Sequence, residues 1–309
     1  MSTATTVPPT FELEGDDAME ALRRTGWTKL VTDSVKRFRA ADGTSHSRAL
    51  AFQIVLTSFP GVIAIVGFAT FFDQSGLRKI FERTAASLAP GPAGQIFHEA
   101  FHQGANDARS SGSTALVLGL VAALTAATTA MAQIERGANR IYGIENDRPS
   151  LKKYGLAFVL ALTAGVLSVI AFTLFIAGGA IATSGPSAGW SDTLVTIWQI
   201  ARWPLGVVAT IAAISIILRT SPNRHQPQLS WLAVGASVAV VLWVVLTLLL
   251  ALYLATSKNF GQTYGPIAGI LGLLFWSFLT SLALFLGISF AAQLEAVRAG
   301  VSTVVSTRR

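Results

Sequence analysis

Residues His98 to His102 read His-Glu-Ala-Phe-His, a literal H-E-x-x-H. On a helix, residues four apart share a face, so the two imidazoles could hold Zn²⁺ while Glu99 serves as general base. A catalytic zinc needs a third protein ligand, and none stands in a defensible place. The other two histidines, His46 and His225, fall in segments that the topology puts on the opposite side of a membrane. The downstream positions of the extended metzincin pattern are unfilled. The competing reading is an outer helix that turns Ile96, Phe97, Ala100 and Phe101 toward lipid. The expectation is therefore no metal site and no enzyme, with His98, Glu99 and His102 the nearest approach to one. No cofactor is called for: there is no phosphate-binding glycine loop, no nucleotide fingerprint and no Ser-His-Asp spacing. With no cysteine, disulfides and thiol chemistry are excluded.

A second group of polar residues lies in or beside long apolar runs. Gln53, Thr57 and Ser58 precede Pro60 and Gly61 in the first run. Proline frees a carbonyl one turn earlier, and neighbouring hydroxyls can re-satisfy such groups in lipid. Pro204 and Gly206 mark a corresponding position in the fourth run, close to Arg202. Paired proline and glycine breaks in equivalent helices of two halves point to a substrate site at mid-membrane; kinks for packing are the alternative. Arg48, Arg136 and Arg140, with Asn139 beside them, form a basic rim whose guanidinium forks match phosphate oxygens; anchoring of helix ends is the alternative. Glu135 with Arg298, and Arg136 with Glu295, could close a gate at that rim. Arg202 either snorkels to headgroups beside Trp190, Trp198 and Trp203 or faces an internal cavity.

The elements that must position these groups follow from composition. Only 13% of the 309 residues are charged and 52% are hydrophobic, with mean hydropathy +0.55. Soluble domains carry about 25% charged residues, so this chain lacks the polar surface to cover a water-soluble globule. A bilayer core of about 30 Å takes about 20 helical residues. Six runs meet that length: 49–72, 114–134, 155–183, 193–218, 229–257 and 265–290. The expected fold is all-α, a six-span membrane domain over 47–295. Before it come a disordered acidic tail over 1–16 and an amphipathic helix over 17–46; a tail over 296–309 follows. That amphipathic helix, with Trp27, Leu30, Val31, Val35 and Phe38 on one stripe, suits either the headgroup layer or packing on the same protein. The loop between the first two spans contains helix-like stretches. With the N-terminus inside, seventeen Lys and Arg fall inside and five outside, Arg202 lying within a span. That satisfies the positive-inside rule with both termini cytoplasmic, so the net charge of +7 needs no nucleic acid to explain it.

Four stretches in order carry a family likeness: Ala49 to Gly61 with its Ser-Phe-Pro-Gly break; Ala138-Asn-Arg-Ile-Tyr-Gly143 with Arg148-Pro149; Leu218-Arg-Thr-Ser-Pro222 with Pro227 and Gly235-Ala236; and Phe260-Gly-Gln-Thr-Tyr-Gly265 through Phe275-Trp276 to Gly287. In these the chain resembles the YihY/BrkB family of six-span bacterial inner-membrane proteins, once misnamed ribonuclease BN. It departs from the family pattern at Phe52-Gln53 and at Gly287-Ile288-Ser289, where many members carry a Tyr pair and Gly-Ala-Glu. The resemblance implies a fold and an inner-membrane address; it also implies, by analogy with members linked to envelope lipids, a role in lipid export or flipping.

Two readings of function remain after these exclusions, besides the zinc hydrolase. The first is a transporter or flippase of an amphiphilic anionic envelope component, with membrane lipids as its partners. The second is a non-transporting scaffold that holds envelope machinery. Abundant small residues in the spans allow tight helix packing and a homo-oligomer.

Overall fold

The computed structural model describes residues 3–10, 13–71, 92, 95, 96, 99, 103, 113–184, 190–257, 264, 267–301 and 303–305. Eight helices are named among them: α1 (Gly15–Thr25), α2 (Trp27–Ala40), α3 (Gly43–Phe71), α4 (Ser113–Ile141), α5 (Ser150–Ser184), α6 (Asp192–Thr220), α7 (Leu229–Thr256) and α8 (Ala268–Arg298). The six from α3 to α8 are long and apolar enough to cross a membrane. The fold is an all-α membrane protein. In α7 the large residues Val241, Val245, Leu248 and Leu252 form an exposed stripe at helical spacing. Such a stripe is stable only against hydrocarbon.

All the spanning helices but α7 are longer than the spans expected from sequence. At 1.5 Å per residue, the 29 residues of α3 extend about 44 Å, beyond a core of about 30 Å. The excess gathers at the face where the two ends of the chain meet, here called the terminal face. There α3 starts six residues before the expected span, α4 runs on to Ile141, and α8 runs on to Arg298. Charged residues end an apolar run without ending a helix, which is why Arg136, Arg140 and Glu295 sit inside helices rather than after them.

Helix α8 is the hub, packing against α7, α3, α2, α4 and α1. From Gly287 to Ala296 every residue of it is buried. A helix buried all round needs neighbours on every side, and α2 supplies one of them. Leu30, Ser34, Arg37 and Phe38 form the buried face of α2. Of the two readings of this amphipathic helix, packing on the same protein accounts for that face. Trp27 and Val31 stay exposed, the Trp27 ring 5.3 Å from that of Phe290. The helix expected over 17–46 is divided, α1 from α2 at Gly26, whose φ of 84° favours glycine, and α2 from α3 at Ala41-Asp42.

Helices α7 and α8 cross through small residues at four-residue spacing on both sides. A Cβ at Gly287 would meet the Cβ of Ala239 at 2.6 Å, and one at Gly235 would meet that of Ala291 at 2.6 Å. The two backbones approach this closely because the side chains are missing. Polar bonds add specificity between spans: Thr129 Oγ1 donates to Gln53 Oε1 (3.1 Å) between α4 and α3, and Trp243 Nε1 to Thr280 Oγ1 (3.1 Å) between α7 and α8.

Within the stretch expected as a tail over 1–16, residues 3–10 run as a strap across the terminal face. Thr3, Thr5 and Val7 donate their N–H groups to the carbonyls of Ala40 (2.9 Å), Val304 (2.9 Å) and Tyr142 (3.1 Å). Ala4 and Val7 are buried. The acids that suggested disorder begin at Glu12; Thr-Ala-Thr-Thr-Val-Pro-Pro-Thr before them carries no charge and two apolar anchors.

Candidate functional site

Two places combine unusual chemistry with position. The first is the polar cluster on which the strap lies. Arg37 projects from the buried stripe of α2 and is wholly buried. Its Nε donates to Gln293 Oε1 (2.9 Å), and its Nη1 to the carbonyls of Thr5 (2.9 Å) and Ile141 (3.2 Å). Burial pulls its pKa down to about 10, against support from Tyr142 and Glu295, so it stays charged at neutral pH. Arg224, in the turn after α6, pairs with Glu295 of α8 and donates to the carbonyls of Val7 (2.8 Å) and Pro8 (3.2 Å). Its guanidinium lies 4.9 Å from the ring centre of Tyr142, whose buried phenol is pushed above its ordinary range. Thr10 donates to Glu295 Oε1 from its N–H (3.3 Å) and from its hydroxyl.

Beside this cluster lies a second knot. Glu135 pairs with Arg148 at 3.2 Å. Arg148 also donates to the carbonyls of Thr220, Ser221 and Pro222 at 2.7–3.1 Å, satisfying groups that the end of α6 leaves over. Asn139 donates to Asp147 Oδ1 (2.9 Å) and accepts from the N–H of Asn223 (2.7 Å). Burial alone would raise the Asp147 carboxyl, but the bonds from Asn139 and Lys153, with the charges of Lys153 and Arg140, hold it below its ordinary value.

The second place is an apolar groove of about 320 Å³ between α6 and α7. Val208, Ile211, Ala212, Ser215, Ile216, Leu229, Ser230 and Ala233 line it. Ser215 donates its hydroxyl to Ile211 O (2.7 Å), and Ser230 Oγ accepts from Gly15 N (3.2 Å). The walls therefore offer hydrocarbon and little else. Arg219 is exposed one turn beyond Ile216, at the terminal-face end of the groove.

A family profile described as "Virulence factor BrkB" matches residues 34–305, most of the chain. The chain belongs to the BrkB family. It is 26% identical over 254 residues to the ribonuclease-like protein YfkH of Bacillus subtilis, covering 81% of this chain and 90% of that one. It is 26% identical over 269 residues to a UPF0761 membrane protein of Azoarcus, covering 84% of this chain and 62% of that relative's length. A UPF0761 membrane protein of Alteromonas mediterranea is 21% identical over 263 residues, with 84% and 85% covered. No solved structure matches.

In this BrkB-family chain the residues singled out from sequence divide. Glu135, Asn139 and Glu295 are buried in the two clusters. The gate pairs expected among them do not form: Glu135 holds Arg148, Glu295 holds Arg224, and Arg298 lies 3.6 Å from Asp17. Helical reach explains this, because the long ends of α4 and α8 carry these carboxylates to the turns that follow α4 and α6. Arg140 caps its own helix end through the carbonyls of Ile144 (3.4 Å) and Glu145 (3.2 Å). Arg48 and Arg136 are exposed at the rim, Arg48 bonding Ser45 Oγ at 3.2 Å. Pro60 and Pro204 lie inside continuous helices rather than at breaks. Thr57 and Ser58 bond the carbonyls of Gln53 (2.7 Å) and Ile54 (2.8 Å), not that of Leu56, which Pro60 frees. Arg202 is half-buried, its guanidinium 5.2 Å from the ring centre of Trp203. Glu99 is exposed, while His98 and His102 lie outside the described residues.

Sequence reasoning passed over Arg37, Tyr142, Arg148, Arg224 and Gln293. Arg37 had a signal: it stands seven residues after Leu30 and three after Ser34, on the apolar stripe. An arginine in that register has to find acceptors inside the protein. Arg224 had none, because its partners Val7, Pro8 and Glu295 are distant in sequence.

Proposed function

We propose that this chain is a transporter or flippase of an amphiphilic anionic envelope component such as a lipid. Its membrane is the bacterial cytoplasmic membrane, and its terminal face is turned to the cytoplasm. The observation that carries the reading is the groove between α6 and α7. Its volume of about 320 Å³ is at the small end of ligand pockets, and its walls suit an acyl chain. Arg219 at its end would meet a headgroup phosphate in the inner leaflet. Exposed Arg136 and Arg48 extend the same basic rim, and the excess of Lys and Arg on the terminal-face side supports the orientation.

Native mass spectrometry of the gently extracted protein tests the reading. The expected result is an anionic lipid enriched over the bulk membrane and depleted in Arg219→Gln. Bulk lipids alone, in wild type and variant alike, count against it. Bulk lipids together with a tightly held partner subunit favour the scaffold.

A further inference from the structure

At the terminal face Arg224 pairs with Glu295 and lies over the Tyr142 ring, while Arg37 bonds Gln293 and the carbonyl of Ile141. The helix core supplies only part of what the two guanidiniums need. Arg37 takes Thr5 O, and Arg224 takes Val7 O and Pro8 O. Three main-chain oxygens of the strap thus serve two buried cations. Glu295 is the carboxylate in the cluster, and it leaves one positive charge over. Arg37 Nη2, on a side chain with no exposed surface, has no partner among the described residues. A buried cation served by neutral carbonyls is poorly compensated, and the group that matches guanidinium forks best is an anionic oxygen set such as phosphate.

The strap is also built to leave. It belongs to no helix; four backbone N–H bonds, the hydroxyls of Thr3, Thr6 and Thr10 and the buried side chains of Ala4 and Val7 hold it, and Pro8 and Pro9 are exposed and donate nothing. A short non-helical segment anchored by two small side chains opens at lower free energy than the helix core beneath it.

We propose that residues 3–10 are a tethered stand-in for a ligand: the carbonyls of Thr5, Val7 and Pro8 occupy a site at which Arg37 and Arg224 take a phosphate group. Strap docking and phosphate binding then exclude each other, and the ligand opens the terminal face. This goes beyond the transport reading and stands without it.

Amide hydrogen exchange of the full chain in detergent tests it, read at Thr5 and Val7, whose N–H groups are bonded in the docked strap. One arm titrates inorganic phosphate. A second compares nanodiscs of phosphatidylglycerol with nanodiscs of phosphatidylcholine. Exchange at both amides should rise as the ligand displaces the strap, about tenfold at ten times Kd. A response to phosphate in solution identifies a free anion; one to phosphatidylglycerol alone identifies a lipid headgroup. Arg37→Gln should lose the response. Thr10→Ala loosens the strap without touching either arginine, and should lower the ligand concentration at half-response. Unchanged exchange in both arms, an undiminished response in Arg37→Gln, or no shift in Thr10→Ala overturns the proposal.

Discussion

The terminal face and the α6–α7 groove that opens beside it are built on opposite rules. At the terminal face nearly every charge is buried or bonded: Arg37, Arg148, Arg224, Glu135 and Glu295 all find partners among strap, turns and helix ends. The groove is lined by six apolar side chains and two serines, without a charged group. With the strap docked, buried charge in this chain therefore serves construction, and the charge free for recognition is that at the rim. In the proposed function Arg219 and Arg136 belong to the second kind; Arg37 and Arg224 belong to the first while the strap is docked.

Breaking the first region should unfold the protein; altering the second should leave it folded but impaired. The largest effect is expected for Arg224→Ala, which leaves Glu295 buried without its cation. Breaking one partner of such a pair costs about 3–5 kcal/mol, read by thermal unfolding in detergent. Gly287→Leu forces α8 away from Ala239 and should cost about 1–3 kcal/mol in the same assay. Ala233→Trp fills the groove; stability should stay within about 0.5 kcal/mol of wild type while lipid retention falls. A large loss of stability there would erase the distinction between the regions. The smallest effect concerns pH. Asp147 is held below its ordinary value, so it contributes stability at neutral pH that is lost as pH falls below about 4. Asp147→Asn should flatten the stability profile in that acid window and leave its slope near neutrality unchanged.

The six spans were legible in the sequence because uncharged runs of 20 or more residues have one solution in a bilayer. Legibility stopped where helices leave the hydrocarbon. Past that point the apolar run ends, yet α4 and α8 continue, since tertiary packing rather than lipid now covers them. Arg37 shows what a finer reading could recover: its register on the stripe of α2 was visible. The pairing of Arg224 with Glu295, and the strap that covers both, depend on contacts more than 200 residues apart in sequence for Val7 and Pro8, and no local pattern encodes them. The groove was equally invisible. Its lining residues are ordinary apolar positions on two spans, and only the way α6 and α7 pack leaves space between them.

The central claim is that the groove, not the buried charges, handles an amphiphile. Transbilayer movement of a labelled phosphatidylglycerol in proteoliposomes tests it most directly, with Ala233→Trp measured beside wild type at equal reconstitution. The account predicts movement faster than in protein-free vesicles for wild type and a loss of most of that excess in Ala233→Trp. Wild type no faster than empty vesicles, or a filled groove that moves lipid as fast as wild type, would contradict it.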